Sequence, residues 1–447
     1  MTSELDREAH WQAVLDDYQA ARRLPSLVAA VLESGSAAWV GTAGSASGPD
    51  VQYRIGSITK TMTAVLVLQC RDDGLLDLDD PLGRFVPESG YAGVSLRALL
   101  SHTSGMQSEP TGPWWERSAG GSFEALLAAN DGSGRVLPGG AEFHYSNLGF
   151  ALLGEVAARL LGRPWRDLAA ERLWSPLGMT RTSYLPQGAA AQGYSVDHLR
   201  GTLAREPATD TGAMAPAGQA WSTLSDLVRF AGFLRDGHPD VLARGSLDEM
   251  ASVQAPARSY GLGLVTAPVG PPGTAWWGHL GSMPGFQSCL YVDRTSGAGL
   301  VALCNGTTGF VGPELAARIT SPVTPVPRRA WLPTRDLPAW AEELLGWWFW
   351  GNSAYEARFE NGLLELRDLG RGGVVAERFE RRTDPDGSDR IIGVDGYHRA
   401  ETLHVRREPD GSVREIECAT FRYCRTPYTH DAPAPGDVTA PGRPSSC

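Results

Sequence analysis

Lysine is almost absent from this chain. Among 447 residues the lysines and arginines together number 40, and only Lys60 is a lysine. Arginine can carry charge at a surface, but its pKa above about 12 prevents it from giving up a proton. A lysine that is removed from water can lose its proton and then serve as a base. Because Lys60 stands three residues after Ser57, this pair is the first candidate for chemistry.

Other absences exclude whole classes of function. No stretch approaches about 18 uninterrupted apolar residues, and residues 1–20 lack the pattern of a secretory signal, so we expect a cytoplasmic protein without membrane partners. The formal net charge of −11 argues against nucleic acid as a partner. The histidines and cysteines show no metal-type spacing. We therefore expect no metal and no other cofactor, and we expect the cysteines to be thiols.

Periodicity and turn signals predict an α/β chain. The predicted helices cover residues 5–23, 59–73, 95–101, 122–130, 148–161 and 222–236, with Ser222 or Thr223 capping the last. The predicted strands cover residues 27–32, 37–41, 260–265, 274–279, 286–293 and 299–305. The order of these elements places Ser57 at the start of a helix and Lys60 one turn further on the same face.

The chain is too long for one ordinary core, so more than one domain is expected. Five prolines in residues 321–338 indicate a linker, and regularly spaced turns after it suit a small antiparallel barrel or sandwich. The predicted organisation is a catalytic domain at 1–320, a linker at 321–340, a small β domain at 341–430 and a flexible tail at 431–447.

Ser57 and Lys60 have the residue types of an activated nucleophile. A serine hydroxyl reacts poorly until a nearby base takes its proton. One helical turn brings the Lys60 amine within reach of the Ser57 hydroxyl, and the start of a helix leaves backbone N–H groups free to stabilise an oxyanion. The alternative for Ser57 alone is a simple helix N-cap.

Two further motifs could complete such a site. In Tyr145-Ser146-Asn147, the phenol could relay a proton and Asn147 could hold an amide carbonyl of a substrate; alternatively, Asn147 only caps the next helix. In Gly278–Ser282, glycines at the end of a strand would let a substrate backbone lie close, and the N–H of Ser282 could face that of Ser57. The alternative for His279 is a satisfied, half-buried histidine.

Together these motifs resemble the serine β-lactamase and penicillin-binding-protein superfamily, and most closely its class C β-lactamase-like branch. The resemblance extends over roughly residues 5–310 and is carried by the segments Tyr53–Asp80, Leu96–Met106, Trp174–Tyr184, Ala217–Leu234 and Trp277–Asn305. It implies a β-lactamase/transpeptidase-like domain with a central antiparallel sheet, flanking helices and an all-helical lobe.

The resemblance also implies the roles of individual residues. Ser57 would be the nucleophile, Lys60 the general base and Tyr145 the proton relay. Asn147 would contact the acyl part of the substrate, and the N–H groups of Ser57 and Ser282 would form the oxyanion hole, with Gly281 beside them. His102 and Ser104 are taken as structural.

His279 departs from the family pattern, because β-lactamases and many related peptidases have a lysine in this motif. That lysine helps to hold a free carboxylate of the substrate, and a histidine that is mostly neutral near pH 7 is a weaker anchor. We therefore expect poor β-lactam hydrolysis and a preference for esters, thioesters or amides without a free carboxylate beside the scissile bond.

The most specific resemblance is to penicillin-binding-protein-type thioesterases, which combine such a domain with a lipocalin-like β-barrel. It implies release and head-to-tail cyclisation of a nonribosomal peptide from a thioester or ester, with a peptidyl carrier protein as a possible partner. The runner-up is a D-stereospecific aminopeptidase, amidase or esterase. A non-catalytic peptide-binding or assembly protein is the alternative of another class. Trp340, Trp347, Trp348 and Trp350 could cover the site or simply pack the barrel.

Overall fold

The structure is a computed structural model that describes residues 4–45, 48–140, 142–255, 259–267, 276–321 and 329–427. The predicted tail and the linker prolines at 322, 325 and 327 lie outside the described residues. The chain divides into two compact units. The first comprises Met1–Val196 and Leu203–Pro333, and the second comprises Asp197–Thr202 and Thr334–Cys447.

The first unit is built on a six-stranded antiparallel sheet of order β2-β1-β10-β9-β8-β7. Its strands are β1 (Ser26–Glu33), β2 (Ser36–Gly44), β7 (Val265–Ala267), β8 (Trp276–Met283), β9 (Phe286–Asp293) and β10 (Gly299–Cys304). Two short pairs lie outside this sheet: β3 (Tyr53–Arg54) with β6 (Trp221–Ser222), and β4 (Tyr194–Asp197) with β5 (Thr202–Arg205).

Helices cover both faces of the sheet and form a separate helical lobe. The helices described in the first unit are α1 (Glu4–Arg22), α2 (Ile58–Asp72), α3 (Leu96–Leu100), α4 (Phe123–Ala129), α5 (Asn147–Leu161), α6 (Trp165–Ala169), α7 (Ala215–Gly218), α8 (Leu224–Asp236), α9 (Arg244–Ala251) and α10 (Gly312–Ile319). No helix in the described part of the chain is long and apolar enough to cross a membrane.

Strand β1 shows why the sheet is a middle layer. Its residues from Ser26 to Leu32 are all buried, as expected of a strand covered on both faces. Alternate side chains enter two different cores because successive residues of a strand point to opposite faces. Leu27, Ala29 and Val31 join a core with α1 and α10, and Val28, Ala30 and Leu32 join the large core with α2, α5 and α8.

Helix α2 is buried along almost its whole length, from Ile58 to Cys70. A helix that is enclosed on all sides lies inside a domain, not on its surface. Its neighbours are α5 and α7 on the lobe side and β8 and β9 on the sheet side. The first turn of α2 therefore lies at the boundary between the sheet and the helical lobe.

The second unit contains a closed antiparallel barrel of eight strands around its own apolar core. The strands are β11 (Gly346–Trp350), β12 (Ser353–Glu360), β13 (Leu363–Asp368), β14 (Val374–Thr383), β15 (Asp389–Asp395), β16 (Thr402–Arg407), β17 (Val413–Cys418) and β18 (Phe421–Cys424), preceded by α11 (Ala339–Glu342). The predicted fold class, including the small lipocalin-like barrel, is confirmed.

The tryptophans of this unit pack into it to different degrees. Trp348 is buried in the barrel core and donates its indole N–H to the carbonyl of Leu344 at 2.7 Å. Trp340 packs edge-on against Phe359. Trp347 and Trp350 are exposed. The partly exposed ring of Trp350 nevertheless stacks on Phe421. Packing therefore accounts for three of the four, and the prediction that they cover the site stays a prediction.

Several predicted strands have different bounds in the structure: β2, for example, extends to Gly44, three residues beyond the predicted end, and the two strands nearest the cavity also differ. Residues 260–265 were expected to form a strand, but β7 begins only at Val265. The strand predicted to end at His279 continues to Met283, because its pairing with β9 runs to the contact of Met283 with Phe286 around a tight turn. Gly281 and Ser282 thus lie inside a strand and not at its end.

The cysteines that the structure describes are unpaired, as predicted. Cys70, Cys289, Cys304 and Cys418 are buried, and Cys424 is half-buried. Cys289 lies opposite Ala302, and Cys304 lies opposite Gln287, so the neighbouring strands do not set the two thiols side by side.

Candidate active site

The three sequence motifs meet at one cavity of about 570 Å³ in the first unit. The predicted residues that line it are Ser57, Tyr145, Asn147, His279, Gly281 and Ser282. Lys60 does not line the cavity, since its side chain is completely buried behind Ser57. The rest of the wall is largely apolar or aromatic and includes Phe143, Tyr260, Val265, Leu280, Tyr291, Phe310 and Val311.

Ser57 lies at the N-terminal end of α2 with its hydroxyl available for chemistry. The residue occupies the N-cap position, yet its side chain accepts no capping hydrogen bond from the described backbone. Its Oγ lies 3.0 Å from the Nζ of Lys60, which also donates to the carbonyl of Ala217 at 2.7 Å. The second bond fixes the amine where it can reach Ser57, so the alternative of a simple N-cap is not supported.

Burial changes the acidity of Lys60. Removal of the ammonium from water lowers the pKa of Lys60 to about 7, and the charges of Glu109 and Glu116 partly oppose this decrease. An ordinary lysine would be almost fully protonated at neutral pH. At a pKa of about 7, a large fraction of Lys60 is a free amine that can take the proton of Ser57.

Tyr145 contributes a neutral phenol. Burial raises the pKa of Tyr145 well above its usual value, and the neighbouring side chain of Ser57 opposes part of this increase. The Nζ of Lys60 lies 4.9 Å from the centre of the Tyr145 ring. Tyr145 therefore stays protonated at neutral pH, so it can pass a proton to a leaving group while Lys60 acts as the base.

The start of α2 and strand β8 approach each other through two glycines. A side chain at Gly56, whose φ is +53°, would lie 2.5 Å from the backbone nitrogen of Ser282. A side chain at Gly281 would lie 1.9 Å from the carbonyl oxygen of Ile55. This contact places the backbone of Ser282 against the residues just before Ser57, as an oxyanion hole formed by the N–H groups of Ser57 and Ser282 would require. Gly281 is thus needed for packing of the protein on itself, in addition to any contact with substrate.

His279 is a buried, neutral histidine. Its Nε2 lies 3.1 Å from the hydroxyl of Tyr260, and its Nδ1 contacts the carbonyl of Leu280. Burial lowers the pKa of His279 to about 4, and the charge of Lys60 adds to this effect. The ring therefore carries no positive charge at neutral pH and cannot attract a substrate carboxylate as a lysine would.

Acidic side chains lie around the other part of the site. Asn147 donates its amide N–H to Glu109 at 2.7 Å, and the indole of Trp115 donates to the same carboxylate at 2.6 Å. Glu116 lines the cavity and accepts from the indole of Trp114 at 2.8 Å. Burial raises the pKa of Glu116, with the neighbouring charge of Glu109 acting in the same direction.

Sequence reasoning missed these carboxylates and Tyr260. Glu109 and Glu116 fall in a loop rich in Gly, Pro and Trp, and no periodic pattern there marks residues that face a cavity. The capping of α5 also differs from the alternative considered for Asn147. Ser146 is the N-cap and accepts from the N–H of Gly149, which leaves the Asn147 side chain free to meet Glu109.

A cluster of metal-binding side-chain types lies away from this cavity. In the barrel, ligand atoms of His398, Glu401 and Cys418 lie within 4.8 Å of one another, and His398 Nδ1 is 3.0 Å from Glu401. No metal-type spacing marks these residues in the sequence, and the hydrogen bond between His398 and Glu401 explains why these two side chains lie close together.

Replacement of Lys60 tests its role as the base. We expect Lys60→Arg and Lys60→Met to lower the rate of Ser57 acylation by at least about 10²-fold, because neither side chain can accept the proton at neutral pH. The measurement is labelling of Ser57 by a fluorophosphonate probe, followed by mass spectrometry. Ser57→Ala is the blank, and thermal unfolding verifies that Lys60→Met is folded. Near-normal labelling of either Lys60 variant would exclude Lys60 as the base.

The pH dependence follows from the acidity of Lys60. Because the neutral amine is the active form, kcat/KM should increase as pH rises through about 7 and then level off. Glu116→Gln removes a charge that raises the pKa of Lys60, so this variant should reach its plateau at lower pH. Initial rates with an uncharged p-nitrophenyl ester provide the profile. A flat profile between about pH 5.5 and 8.5 would contradict this role for Lys60.

Comparisons with known proteins agree with the geometry of the site. The beta-lactamase family matches residues 11–323, and a domain of unknown function, DUF7586, matches residues 337–425. Penicillin-binding protein 4 of Amycolatopsis lactamdurans is 29% identical over 330 residues, which cover 67% of this chain and 85% of that protein.

Solved structures show the same fold. A D-stereospecific amidohydrolase from Streptomyces sp. has a TM-score of 0.57 and 29% identity, covering 67% of this chain and 94% of its own. The octameric penicillin-binding protein homologue from Pyrococcus abyssi has a TM-score of 0.63 at 20% identity, covering 93% of this chain and 99% of its own, a likeness of fold alone.

Ser57, Tyr145 and His279 thus line one cavity with Lys60 directly behind Ser57, in a domain whose sequence matches one family over more than half of the chain. This chain belongs to the beta-lactamase family, within the superfamily of serine β-lactamases and penicillin-binding proteins.

Proposed function

We propose that this chain is a serine amidohydrolase or acyltransferase whose acyl donors carry a free amino group and no free carboxylate beside the scissile bond. The observation that carries this proposal is the charge of the cavity. Its wall contains the carboxylate of Glu116 and a neutral His279, and no lysine or arginine is among its described lining residues. A substrate ammonium is stabilised in such a place, and a substrate carboxylate is not.

The chemistry proceeds through an ester of Ser57. The neutral amine of Lys60 takes the hydroxyl proton while Oγ forms a bond to the acyl carbon, and the carbonyl oxygen becomes an oxyanion. When the bond to the leaving group breaks, that group takes a proton through Tyr145. Water or an amine then attacks the ester carbonyl, and Ser57 recovers its proton. Lys60 and Tyr145 thus serve both halves of the reaction.

Hydrolysis of amides or peptides of D-amino acids is the first candidate. The similarity to the D-stereospecific amidohydrolase from Streptomyces sp. covers 94% of that protein and supports this choice. An α-amino group lies two bonds from the acyl carbon, so a donor bound at Ser57 has its ammonium within the same cavity as Glu116.

Head-to-tail peptide release is the second candidate, and the size and apolar wall of the cavity favour it. The volume of about 570 Å³ accommodates an acyl group larger than a single residue, and apolar surroundings limit the access of water to the ester. A peptide amine that is held beside its own acyl carbonyl competes with water through its high effective concentration. The thioester donor, the carrier protein and the cytoplasmic location belong to this second candidate as predictions.

Matched substrates test the preference for a free amine. We expect D-phenylalanine p-nitroanilide to react with a kcat/KM at least about 10-fold higher than its N-acetyl or N-succinyl derivative, since a charge-assisted hydrogen bond contributes about 1.5–3 kcal/mol. In Glu116→Gln this ratio should fall towards one. A ratio of two substrates within one variant cancels the altered pKa of Lys60. Equal rates for free and acylated amines in the unmodified chain would contradict the proposal.

A second assay separates the two candidates by their products. Linear peptide thioesters with D- or L-residues at the acyl end are incubated with the chain, and the cyclic peptide and the linear acid are quantified by mass spectrometry. A cyclic product that disappears in Ser57→Ala supports peptide release. Exclusive hydrolysis of every peptide would contradict cyclisation and leave the amidohydrolase as the function.

A further inference from the structure

His102 is a completely buried histidine in an unusual backbone conformation. Its φ is +59°, in the left-handed region that residues other than glycine rarely adopt. It lies just after helix α3, in the segment Ser101-His102-Thr103-Ser104-Gly105. Its side chain does not line the cavity, so it cannot contact a substrate there.

The contacts of His102 converge on one residue, Tyr145. The backbone carbonyl of His102 accepts the N–H of His144 at 2.7 Å. Its ring Nδ1 accepts the N–H of Ser146 at 3.0 Å. Its ring lies 4.2 Å from the ring of Tyr145, centre to centre, with an angle of 36° between the planes. His102 therefore holds the residues on both sides of Tyr145 and also the Tyr145 ring.

The ring of His102 is neutral, as an acceptor role requires. Burial lowers the pKa of His102 well below its usual value, and the charge of Lys60 adds to this effect. Because Nδ1 accepts a hydrogen bond, the proton of the neutral ring is on Nε2. That nitrogen is buried and has no hydrogen-bond partner among the described residues. An unsatisfied buried N–H and a left-handed backbone are both unfavourable, and such features concentrate at functional sites.

His102 packs against side chains that line the cavity. Its ring contacts those of Phe143, Phe150 and Tyr260. Tyr260 in turn bonds His279 of the third motif. The aromatic cluster thus joins the Tyr145 segment to strand β8, and His102 is its only member that also bonds the backbone on both sides of Tyr145 among the residues described.

We propose that His102 is a positioning residue for acyl transfer, which holds the phenol of Tyr145 beside the hydroxyl of Ser57 through two hydrogen bonds to the backbone of His144 and Ser146 and through its ring contact. This role rests on the Ser57 acyl chemistry and is independent of which acyl donor is preferred. Tyr145 lies between a segment without regular secondary structure and α5, so no strand ladder or helix fixes its backbone. The loop residues Gln107 and Ser108 also bond the residues around it, but His102 alone combines bonds to the backbone of both neighbours with a contact to the Tyr145 ring, among the residues described.

Two variants separate the hydrogen bond from the packing. His102→Phe keeps an aromatic ring but removes the acceptor for the N–H of Ser146. His102→Asn keeps an acceptor and tolerates the left-handed backbone, but removes the ring. Each is made in the unmodified chain and in Tyr145→Phe, which retains the ring of Tyr145 and removes only its hydroxyl. The buried His398, which bonds Glu401 in the barrel, provides the matched control His398→Phe.

The readouts are the rate of Ser57 labelling by a fluorophosphonate, and kcat and KM for an uncharged p-nitrophenyl ester, with thermal unfolding as a check of folding. We expect His102→Phe to lower the labelling rate and kcat on the order of 10- to 100-fold with KM nearly unchanged, because a shift of about 1 Å in a catalytic group costs about 10²-fold. The labelling rate and kcat of His102→Asn should decrease less than those of His102→Phe. When His102→Phe is added to Tyr145→Phe, the further decrease in labelling rate and kcat should be under about threefold, because the hydroxyl that His102 positions is already absent.

Several results would overturn the inference. One is the same fold-loss for His102→Phe with and without the Tyr145 hydroxyl, which would make its effect independent of Tyr145. Others are an unchanged labelling rate, or an equal loss in His398→Phe. If His102→Phe does not fold, the comparison of His102→Asn in the two backgrounds decides by the same criterion. A chain whose Ser57 is never labelled would refute the acyl chemistry itself, whereas failure of the amine preference would leave this inference intact.

Discussion

Burial of the Lys60 amine is the constraint on which the rest of this site depends. Helix α2 lies between the sheet and the helical lobe, and it has almost no exposed face, so a lysine in its first turn has no route to water. The cost of burying the ammonium lowers its pKa to about 7, and Glu109 and Glu116 prevent a larger decrease. The low pKa of Lys60 is therefore a direct consequence of how the domain encloses α2. A more exposed helix would keep Lys60 charged and Ser57 inert.

The exclusion of water also sets the protonation states of Tyr145 and His279. Burial keeps the phenol of Tyr145 protonated and the ring of His279 neutral, because in each case it disfavours the charged form. Burial thus raises the pKa of the Tyr145 phenol and lowers the pKa of the Lys60 amine. At the same pH, one group can therefore donate a proton and the other can accept one. The protonation states that the proposed mechanism needs therefore follow from burial of all three residues.

Much of this could be predicted from the sequence because the informative signals are local. The Ser57–Lys60 spacing, the start of α2 and the order of the strands are short-range patterns, and the structure confirms those elements. Tyr260, Glu109 and the true bounds of β8 depend on contacts between distant segments. The bond between Asn147 and Glu109, for example, joins residues 38 positions apart in a loop without periodicity. Nor does the tripeptide around Asn147 reveal that the preceding Ser146 is the helix cap.

The close approach of α2 and β8 limits which residues of this site can be replaced. A Cβ atom at Gly56 or Gly281 would overlap backbone atoms of the other segment, so neither position accepts a larger residue without separating the start of α2 from β8. The nucleophile, base and oxyanion donors are therefore fixed relative to one another. Substrate choice must instead reside in walls that do not bear on this contact, such as Leu280 and Val311, which are exposed to the cavity, and in the charge of Glu116. In the proposed function, the contact of α2 with β8 would stay the same while changes in these walls alter the size and charge of the acyl donor.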